Sequence, residues 1–160
     1  MIFFSTGFGR PPRAPLVESP NMMQELYKEI ILDHFRCPRH RHEIPDAEIE
    51  EHLNNPLCGD EVTVYANLGN DGLEVGFTGR GCAISQASAS MLAERVAGKG
   101  RGEAEGEIEA FLEMMRTEEN EELGELAALK GIIQTPNRIR CATLAWDAFR
   151  QGLKGEQGTG

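Results

Sequence analysis

The sequence predicts an α+β fold in which helices cover a small antiparallel sheet. Apolar and polar residues alternate on both sides of a tight turn near residue 70, which is typical of a β-hairpin. Apolar residues recur at helical spacing both before and after that hairpin. The chain has 160 residues, 40% of them hydrophobic, which suits a single domain that needs no disulfide bonds to fold.

The first predicted element is an amphipathic helix over residues 22–35. Ser19-Pro20 supplies a capping residue and a first-turn proline, and Cys37-Pro38 ends the pattern. The apolar positions at helical spacing are Met23, Leu26, Tyr27, Ile30, Ile31 and Phe35. Residues 38–56 are polar and contain two prolines, so we expect them to be irregular.

The β-hairpin follows this irregular segment. Apolar residues alternate from Val62 to Leu68 and again from Leu73 to Phe77. Gly69-Asn70-Asp71-Gly72 lies between the two runs and predicts the tight turn. Gly79-Arg80-Gly81 ends the second strand.

Helices are predicted for the rest of the chain. The stretch from Ser85 to Ala97 is rich in Ala and Ser, which would allow close packing on a sheet, and Gly98 closes it. Gly98-Lys99-Gly100-Arg101-Gly102 is interpreted as a linker, because a phosphate loop would follow a strand and carry Ser or Thr after its lysine. Further helices are expected at residues 104–116, at 120–130 and from Thr135-Pro136 to about Leu153.

The predicted organisation is one domain over residues 22–153 with a segment on either side of it. Residues 1–21 are expected to be a disordered arm, or a non-native one if translation starts at Met22 or Met23. A transit peptide is disfavoured there because prolines would break its helix. Residues 154–160 are expected to form a flexible tail.

Acidic residues are concentrated in one segment. The chain has 26 Asp and Glu against 16 Lys and Arg, a net charge of −10, which argues against binding to nucleic acid or to an anionic membrane surface. Residues 103–125 hold ten Glu and one Arg and so contribute −9 of that charge. This acidic insert, at about residues 99–130, is either a solvated helical face or a surface that steers a basic partner.

No apolar run approaches the ~18–20 residues that span a bilayer, and no secretory signal is evident, so we expect a cytoplasmic protein. In a reducing compartment, metal binding or catalysis by its four cysteines is favoured over disulfide bonds. Cys58 precedes the first hairpin strand, and Gly59 would let the chain turn so that Cys58 and Asp60 point to one place. Cys82 lies between a strand and a helix, whose N-terminus favours a thiolate.

Cys141 lies inside the last helix, where Arg138 and Arg140 are expected to lower its pKa. By spacing alone, the cysteines and Asp60 leave two hypotheses open, a metal site and buried apolar thiols. Cys37 and His40 have zinc-like spacing but are interpreted as a loop thiol beside chance histidines. The other residues interpreted as structural are His34 and His52 at the surface and Trp146 in the core.

Four segments together resemble the U-type iron–sulfur cluster assembly proteins, the NifU N-terminal and IscU-like family. They read ELYKEIILDHF, NPLCGDEVTVY, GRGCAISQASASML and RIRCATLAW, and they occur in the family's order. The resemblance implies a three-stranded antiparallel sheet with helices packed on one face. It also implies a site built from Cys58, Asp60, Cys82 and Cys141.

Two features resemble the SufU branch of this family more than the IscU-like scaffold branch. Arg140 occupies the position where the scaffold branch has a histidine, and the chain between Cys82 and Cys141 is longer. The branch implies a bound zinc ion and sulfur transfer from a SufS-type, PLP-dependent cysteine desulfurase. It also implies that a partner histidine replaces Cys58 on the metal, that Cys58 then accepts the sulfur, and that Arg138 pairs with the freed thiolate or with Asp60.

Two alternatives to the sulfur acceptor stay open at this point. The same four ligands would also suit a scaffold on which a [2Fe–2S] cluster is assembled and transferred. An adaptor with a purely structural zinc ion is the other alternative, although it would need neither an aspartate ligand nor an arginine beside the cysteines. If the protein is a sulfur acceptor or a cluster scaffold, its downstream partners are expected to be another cluster scaffold or apo iron–sulfur proteins.

Overall fold

The computed structural model describes residues 20–116, 121–132 and 136–158. Its elements in chain order are α1 (Pro20–Arg36), β1 (Ile49–Asn55), β2 (Asp60–Gly69), β3 (Gly72–Arg80), α2 (Ala83–Val96), α3 (Arg101–Arg116), a 3₁₀ segment (Glu121–Leu126), α4 (Ala127–Ile132) and α5 (Pro136–Gly158). Helices α2 and α5 pack on the sheet, α1 packs against α2, α3 packs against both α2 and α5, and α4 packs on α1.

The three strands form one antiparallel sheet in the order β1-β2-β3. Gly69 pairs with Gly72 across the predicted tight turn, and Val62 pairs with Leu53 on one side and Gly79 on the other. The buried apolar residues of β2 and β3 on the face towards the helices are Val62, Val64, Ala66, Leu73, Val75 and Phe77. The opposite face carries polar residues such as His52 and Glu74, both exposed. The predicted fold class, with helices on one face of three antiparallel strands, is therefore confirmed.

The prediction that residues 38–56 are irregular is wrong for β1. Only Ile49 and Leu53 of this seven-residue strand are apolar, so its own alternation is weak. Full pairing with β2 supplies the backbone hydrogen bonds, and α5 covers its inner face. The helix approaches closely at Gly152, where a Cβ would lie 2.4 Å from Ile49 Cγ2. Such long-range pairing leaves little trace in a polar edge strand.

Most helix boundaries lie close to their predicted positions, with two differences. The helix expected at residues 120–130 is divided into the 3₁₀ segment and α4, and Gly124 within the segment has φ +59° and ψ −123°. Helix α5 runs to Gly158, so residues 154–158 of the expected tail are helical. The expected N-terminal arm lies outside the described residues, except for Pro20 and Asn21, which begin α1. Among the described helices, none combines the length and the apolar character needed to cross a membrane.

Trp146 fixes α5 against α2 and α3 from within the core, as the sequence predicts. Its ring is buried and stacks on Phe111 with 3.9 Å between the ring centroids. Its indole N–H donates to Ser88 Oγ at 2.9 Å, and Ser88 donates to the carbonyl oxygen of Ala142. Because Ser88 belongs to the small-residue stretch of α2, the two helices approach closely, which fixes the position of the residues next to Ala142.

The interpretation of His34 as a surface residue is wrong. Its side chain is 1% exposed, on the face of α1 that packs against α2. His34 Nδ1 lies 2.8 Å from Ser90 Oγ and Nε2 lies 3.0 Å from Glu125 Oε1. His34 continues the apolar stripe of α1 one turn after Ile30, which explains its burial. His52 is exposed, as expected, with Nδ1 2.9 Å from Thr63 Oγ1.

Candidate metal centre

The turn between β1 and β2 presents Cys58 to solvent and turns Asp60 inward. Asn55 organises it: its carbonyl oxygen accepts hydrogen bonds from the backbone N–H groups of Cys58 and Gly59 at 3.1 and 2.8 Å. Its side-chain oxygen accepts a third from Leu57 at 3.2 Å. Gly59 has φ +74°, a conformation that glycine adopts without strain, as the sequence predicts. The turn therefore exposes one ligand candidate and buries the next.

Asp60 joins this turn to the start of α2. Its carboxylate is completely buried, and Oδ1 accepts the backbone N–H of Cys82 at 2.7 Å. The other oxygen, Oδ2, lies 3.5 Å from Cys82 Sγ. Gly81 has φ +138°, and a Cβ there would lie 2.1 Å from Asp60 Oδ1. Glycine at this position is what allows the carboxylate to sit against the chain.

Cys141 completes the group from α5. Its thiol is buried, with Sγ 3.3 Å from Cys58 Sγ and 3.8 Å from Asn55 Nδ2. Burial raises the pKa of Cys141 far above its ordinary value, and hydrogen bonds with Asp60 and Cys58 raise it further. The expectation that Arg138 and Arg140 lower this pKa is wrong: both side chains are exposed, and burial dominates.

We call Cys58, Asp60, Cys82 and Cys141 the cysteine cluster. The ligand atoms of Cys58, Asp60 and Cys141 lie within 4.8 Å of one another, whereas Cys82 Sγ is outside that group and is 3.5 Å from Asp60 Oδ2. Tetrahedral zinc, with bonds of about 2.3 Å to sulfur and about 2.1 Å to oxygen, separates its ligands by about 3.8 Å between sulfurs and about 3.6 Å between sulfur and oxygen. The S···O distance between Cys82 and Asp60, 3.5 Å, is close to the latter value, whereas the S···S distance between Cys58 and Cys141, 3.3 Å, is about 0.5 Å shorter than the former. Cys58, Asp60 and Cys141 thus lie close enough to share one ion, and Cys82 completes a tetrahedral set only if its Sγ moves towards the other two sulfurs. Thiolates and a carboxylate are zinc ligands, and soft sulfur ligands also suit iron–sulfur clusters.

Other residues singled out in the sequence lie around this group or apart from it. Arg138 is exposed in the first turn of α5, one turn before Cys141. Cys37 is exposed in the loop after α1. Within the described part of the chain, neither Cys37 nor His40 belongs to a group of side chains close enough to share a metal ion.

The sequence alone did not predict two features of the structure. Asn55 was visible only as part of the NPLCGD segment, and its contact with Cys141 depends on the packing of α5. The second metal-capable group, His34 with Glu94 and Glu125, joins residues up to 91 positions apart, and its residue spacing has no motif.

Replacing Gly81 by alanine tests how the fold holds Asp60. We expect Gly81→Ala to weaken zinc binding by about 10–100-fold, because the added Cβ displaces the carboxylate, and ligand-orienting contacts carry effects of this size. Competition with a chromogenic chelator measures the affinity. Gly98→Ala is the matched control: Gly98 also has positive φ, +82°, but a Cβ there meets nothing within 4 Å. Equal losses of affinity in both variants would contradict the prediction.

Comparisons with known proteins agree on one family. The family described as "NifU-like N terminal domain" matches residues 26–157. The chain is 38% identical to the "Iron-sulfur cluster assembly scaffold protein IscU" of Streptococcus pyogenes serotype M1, over 82% of this chain and 85% of that one. It is 37% identical to the "Zinc-dependent sulfurtransferase SufU" of Bacillus subtilis (strain 168), over 85% and 95%.

A solved structure shares the fold. The protein is described as a candidate iron–sulfur cluster assembly scaffold of the SUF system and comes from Fervidobacterium islandicum AW-1. It is 32% identical to this chain, and the two structures superpose with a TM-score of 0.73 over 81% of this chain and 98% of that one. The resemblance carried by the four sequence segments is thus confirmed. The chain belongs to the NifU-like N-terminal domain family, together with the U-type iron–sulfur cluster assembly proteins named IscU and SufU.

Proposed function

We propose that this protein is a zinc-dependent sulfur acceptor in iron–sulfur cluster assembly, and that it takes persulfide sulfur on Cys58 from a SufS-type, PLP-dependent cysteine desulfurase. One observation carries the proposal: Cys58 is exposed, whereas its neighbours Asp60 and Cys141 are fully buried. A partner can therefore reach the Cys58 thiol first. Likeness to the Bacillus subtilis sulfurtransferase supports the same choice.

Zinc fits the cysteine cluster as its resident metal. Cys58, Asp60, Cys82 and Cys141 would hold the ion. When bound, zinc would keep the ligand thiols deprotonated near neutral pH. This matters most for Cys141, because burial strongly favours its neutral thiol form.

The transfer itself is a thiol–disulfide type of exchange. The Cys58 thiolate attacks the outer sulfur of the desulfurase persulfide, and a new S–S bond forms on Cys58. The donor's S–S bond breaks, and the desulfurase cysteine leaves as a thiolate. The outer sulfur keeps its proton, so neither a proton nor an external oxidant is needed. The persulfide on Cys58 then supplies a downstream cluster scaffold or apo iron–sulfur proteins.

Arg138 is proposed to stabilise negative charge during this transfer. It lies one turn before Cys141 on α5, and its side chain is exposed on the helix that carries that ligand. A guanidinium group there could pair with the Cys58 thiolate or with Asp60. Its role would be to favour the reactive thiolate rather than to hold the metal.

A second candidate function is the assembly of a [2Fe–2S] cluster as cargo on the same four residues. The observation that favours it is the 38% sequence identity to the Streptococcus pyogenes scaffold. The identity to the Bacillus subtilis sulfurtransferase is nearly the same, 37%. Thiolate ligands suit iron–sulfur clusters as well as zinc.

The metal content distinguishes the two functions. We expect the protein purified under anaerobic conditions to contain about one zinc ion per chain. It should be colourless, because the filled d shell of Zn²⁺ gives no absorption in the visible range. Elemental analysis and a visible absorption spectrum measure this. Stoichiometric iron and sulfide with visible absorption would favour the scaffold.

The sulfur acceptor is tested by Cys58→Ala. We expect this variant to lose its stimulation of a SufS-type desulfurase, measured as alanine release, because no exposed cluster thiol remains to accept the sulfur. In the metal-free protein the unfolding free energy should change by less than about 0.5 kcal/mol, since the side chain is exposed.

Cys37→Ala is the matched control, because Cys37 is the other exposed cysteine and lies outside the cysteine cluster. It should stimulate the desulfurase as well as the unaltered protein does. Undiminished stimulation by Cys58→Ala would overturn the proposal.

Arg138→Ala tests the electrostatic role. We expect desulfurase stimulation to fall by about tenfold, the effect of losing one charge-assisted contact of about 1.4 kcal/mol, while the zinc content stays the same. Arg138→Lys keeps the charge and should recover part of the loss. Arg140→Ala controls for an exposed arginine of the same helix. An equal loss in the Arg138 and Arg140 variants would show that only general surface charge matters.

A further inference from the structure

A second group of metal-ligating side chains lies outside the cysteine cluster. It consists of His34 from α1, Glu94 from α2 and Glu125 from the 3₁₀ segment, and we call it the His34 cluster. His34 Nε2 lies 3.0 Å from Glu125 Oε1 and 3.8 Å from Glu94 Oε1. All three ligand atoms lie within 4.8 Å of one another.

These distances fit a divalent cation. An ion bound at about 2.1 Å in octahedral geometry separates neighbouring ligands by about 3.0 Å, and tetrahedral geometry separates them by about 3.4 Å. The two measured separations from His34 Nε2 bracket these values. Imidazole with two carboxylates is a donor set that first-row divalent ions accept.

The imidazole of His34 is buried and oriented by a contact on one of its nitrogens, as metal-binding histidines usually are. It is 1% exposed, and its other nitrogen, Nδ1, lies 2.8 Å from Ser90 Oγ. Ser90 Oγ also accepts the backbone N–H of Arg39 at 2.9 Å, which fixes the hydroxyl in place. If Nδ1–H donates to Ser90, the Nε2 lone pair faces the two carboxylates. Metal-bound histidines are oriented by this kind of contact on the other nitrogen.

The cations around the His34 cluster have other close partners. Arg39 Nη2 bonds Asp33 Oδ2 at 2.8 Å, and its Nε is 3.9 Å from the second oxygen of Glu94. Arg95 and Lys99 both bond Glu107, at 2.7 and 3.2 Å. Arg39 therefore already balances part of the negative charge of Glu94 and Glu125, and a divalent ion would balance the rest.

An entry path adjoins the cluster. A solvent-open cavity of about 400 Å³ is lined by Glu94 and Glu125, by the cations Arg95 and Lys99, which both bond Glu107, and by Met91, Ala97 and Leu126. It gives an ion access to both carboxylates and leaves room for water molecules as further ligands.

We propose that the His34 cluster binds a first-row divalent cation through His34 Nε2 and the carboxylates of Glu94 and Glu125. Glu125 belongs to the acidic insert, whereas His34 and Glu94 belong to helices that pack together in the core. The bound ion therefore fastens the insert to α1 and α2. This site is independent of the proposed sulfur transfer.

Mn²⁺ is the probe, because carboxylate and imidazole ligands accept it while thiolates favour softer ions. The full-length protein is passed over a chelating resin and titrated with Mn²⁺, and the EPR signal of free Mn²⁺ reports the bound fraction. We expect one equivalent to bind saturably and to raise Tm. Glu94→Gln and Glu125→Gln should each raise the Mn²⁺ Kd at least tenfold and reduce the rise in Tm.

Both substitutions keep the side-chain size and an oxygen acceptor, and both residues are more than half exposed, so the fold should tolerate them. Glu25→Gln is the matched control, since Glu25 is equally exposed on α1 and pairs only with Lys28 among the described ion pairs. It should bind Mn²⁺ as the unaltered protein does. The proposal is overturned if the unaltered protein binds no Mn²⁺ saturably, or if both glutamine variants bind it with unchanged Kd.

Discussion

The buried carboxylate of Asp60 is the constraint on which the candidate metal centre depends. A carboxylate removed from water costs several kcal/mol unless hydrogen bonds or a cation compensate it. The Cys82 backbone N–H at 2.7 Å and the neighbouring thiols supply part of that compensation, and a bound cation would supply the rest. The chain accommodates the carboxylate only because Gly81 has no Cβ. The fold thus buries a carboxylate whose desolvation cost a bound metal ion would offset.

The packing of α5 determines whether Cys141 can join that group. Its three partners come from the β1–β2 turn and the start of α2, both built on the sheet, whereas Cys141 arrives from the last helix. Trp146, one turn further along α5, is anchored to Ser88 and Phe111. A close-packed core transmits small displacements, so a shift of α5 would change the separation between Cys141 and Cys58. Core residues distant from the sulfur atoms therefore contribute to the geometry of the centre.

Features that depend on a local sequence pattern were predicted correctly, whereas features that depend on burial in the folded protein were not. The hairpin turn at residues 69–72 and the cysteine cluster were visible as a motif or as a recognised segment. Strand β1 was missed because its pairing, not its composition, makes it a strand. His34 and the pKa of Cys141 were assigned wrongly for one reason. Solvent exposure depends on which elements pack together, and flanking residues in the sequence do not report it.

The acidic insert shows the same dependence on packing. As a sequence it is a run of negative charge, but in the described structure several of its glutamates have cationic partners from other elements. Glu107 bonds Arg95 and Lys99, and Glu109 forms an ion pair with Arg150 of α5. Ion pairs at the surface contribute about 0–1 kcal/mol each, so these partly exposed pairs orient α3 more than they stabilise it. They also reduce the outward field of α3 at Glu107 and Glu109, so less of the insert's negative charge is available to steer a basic partner than its sequence indicates.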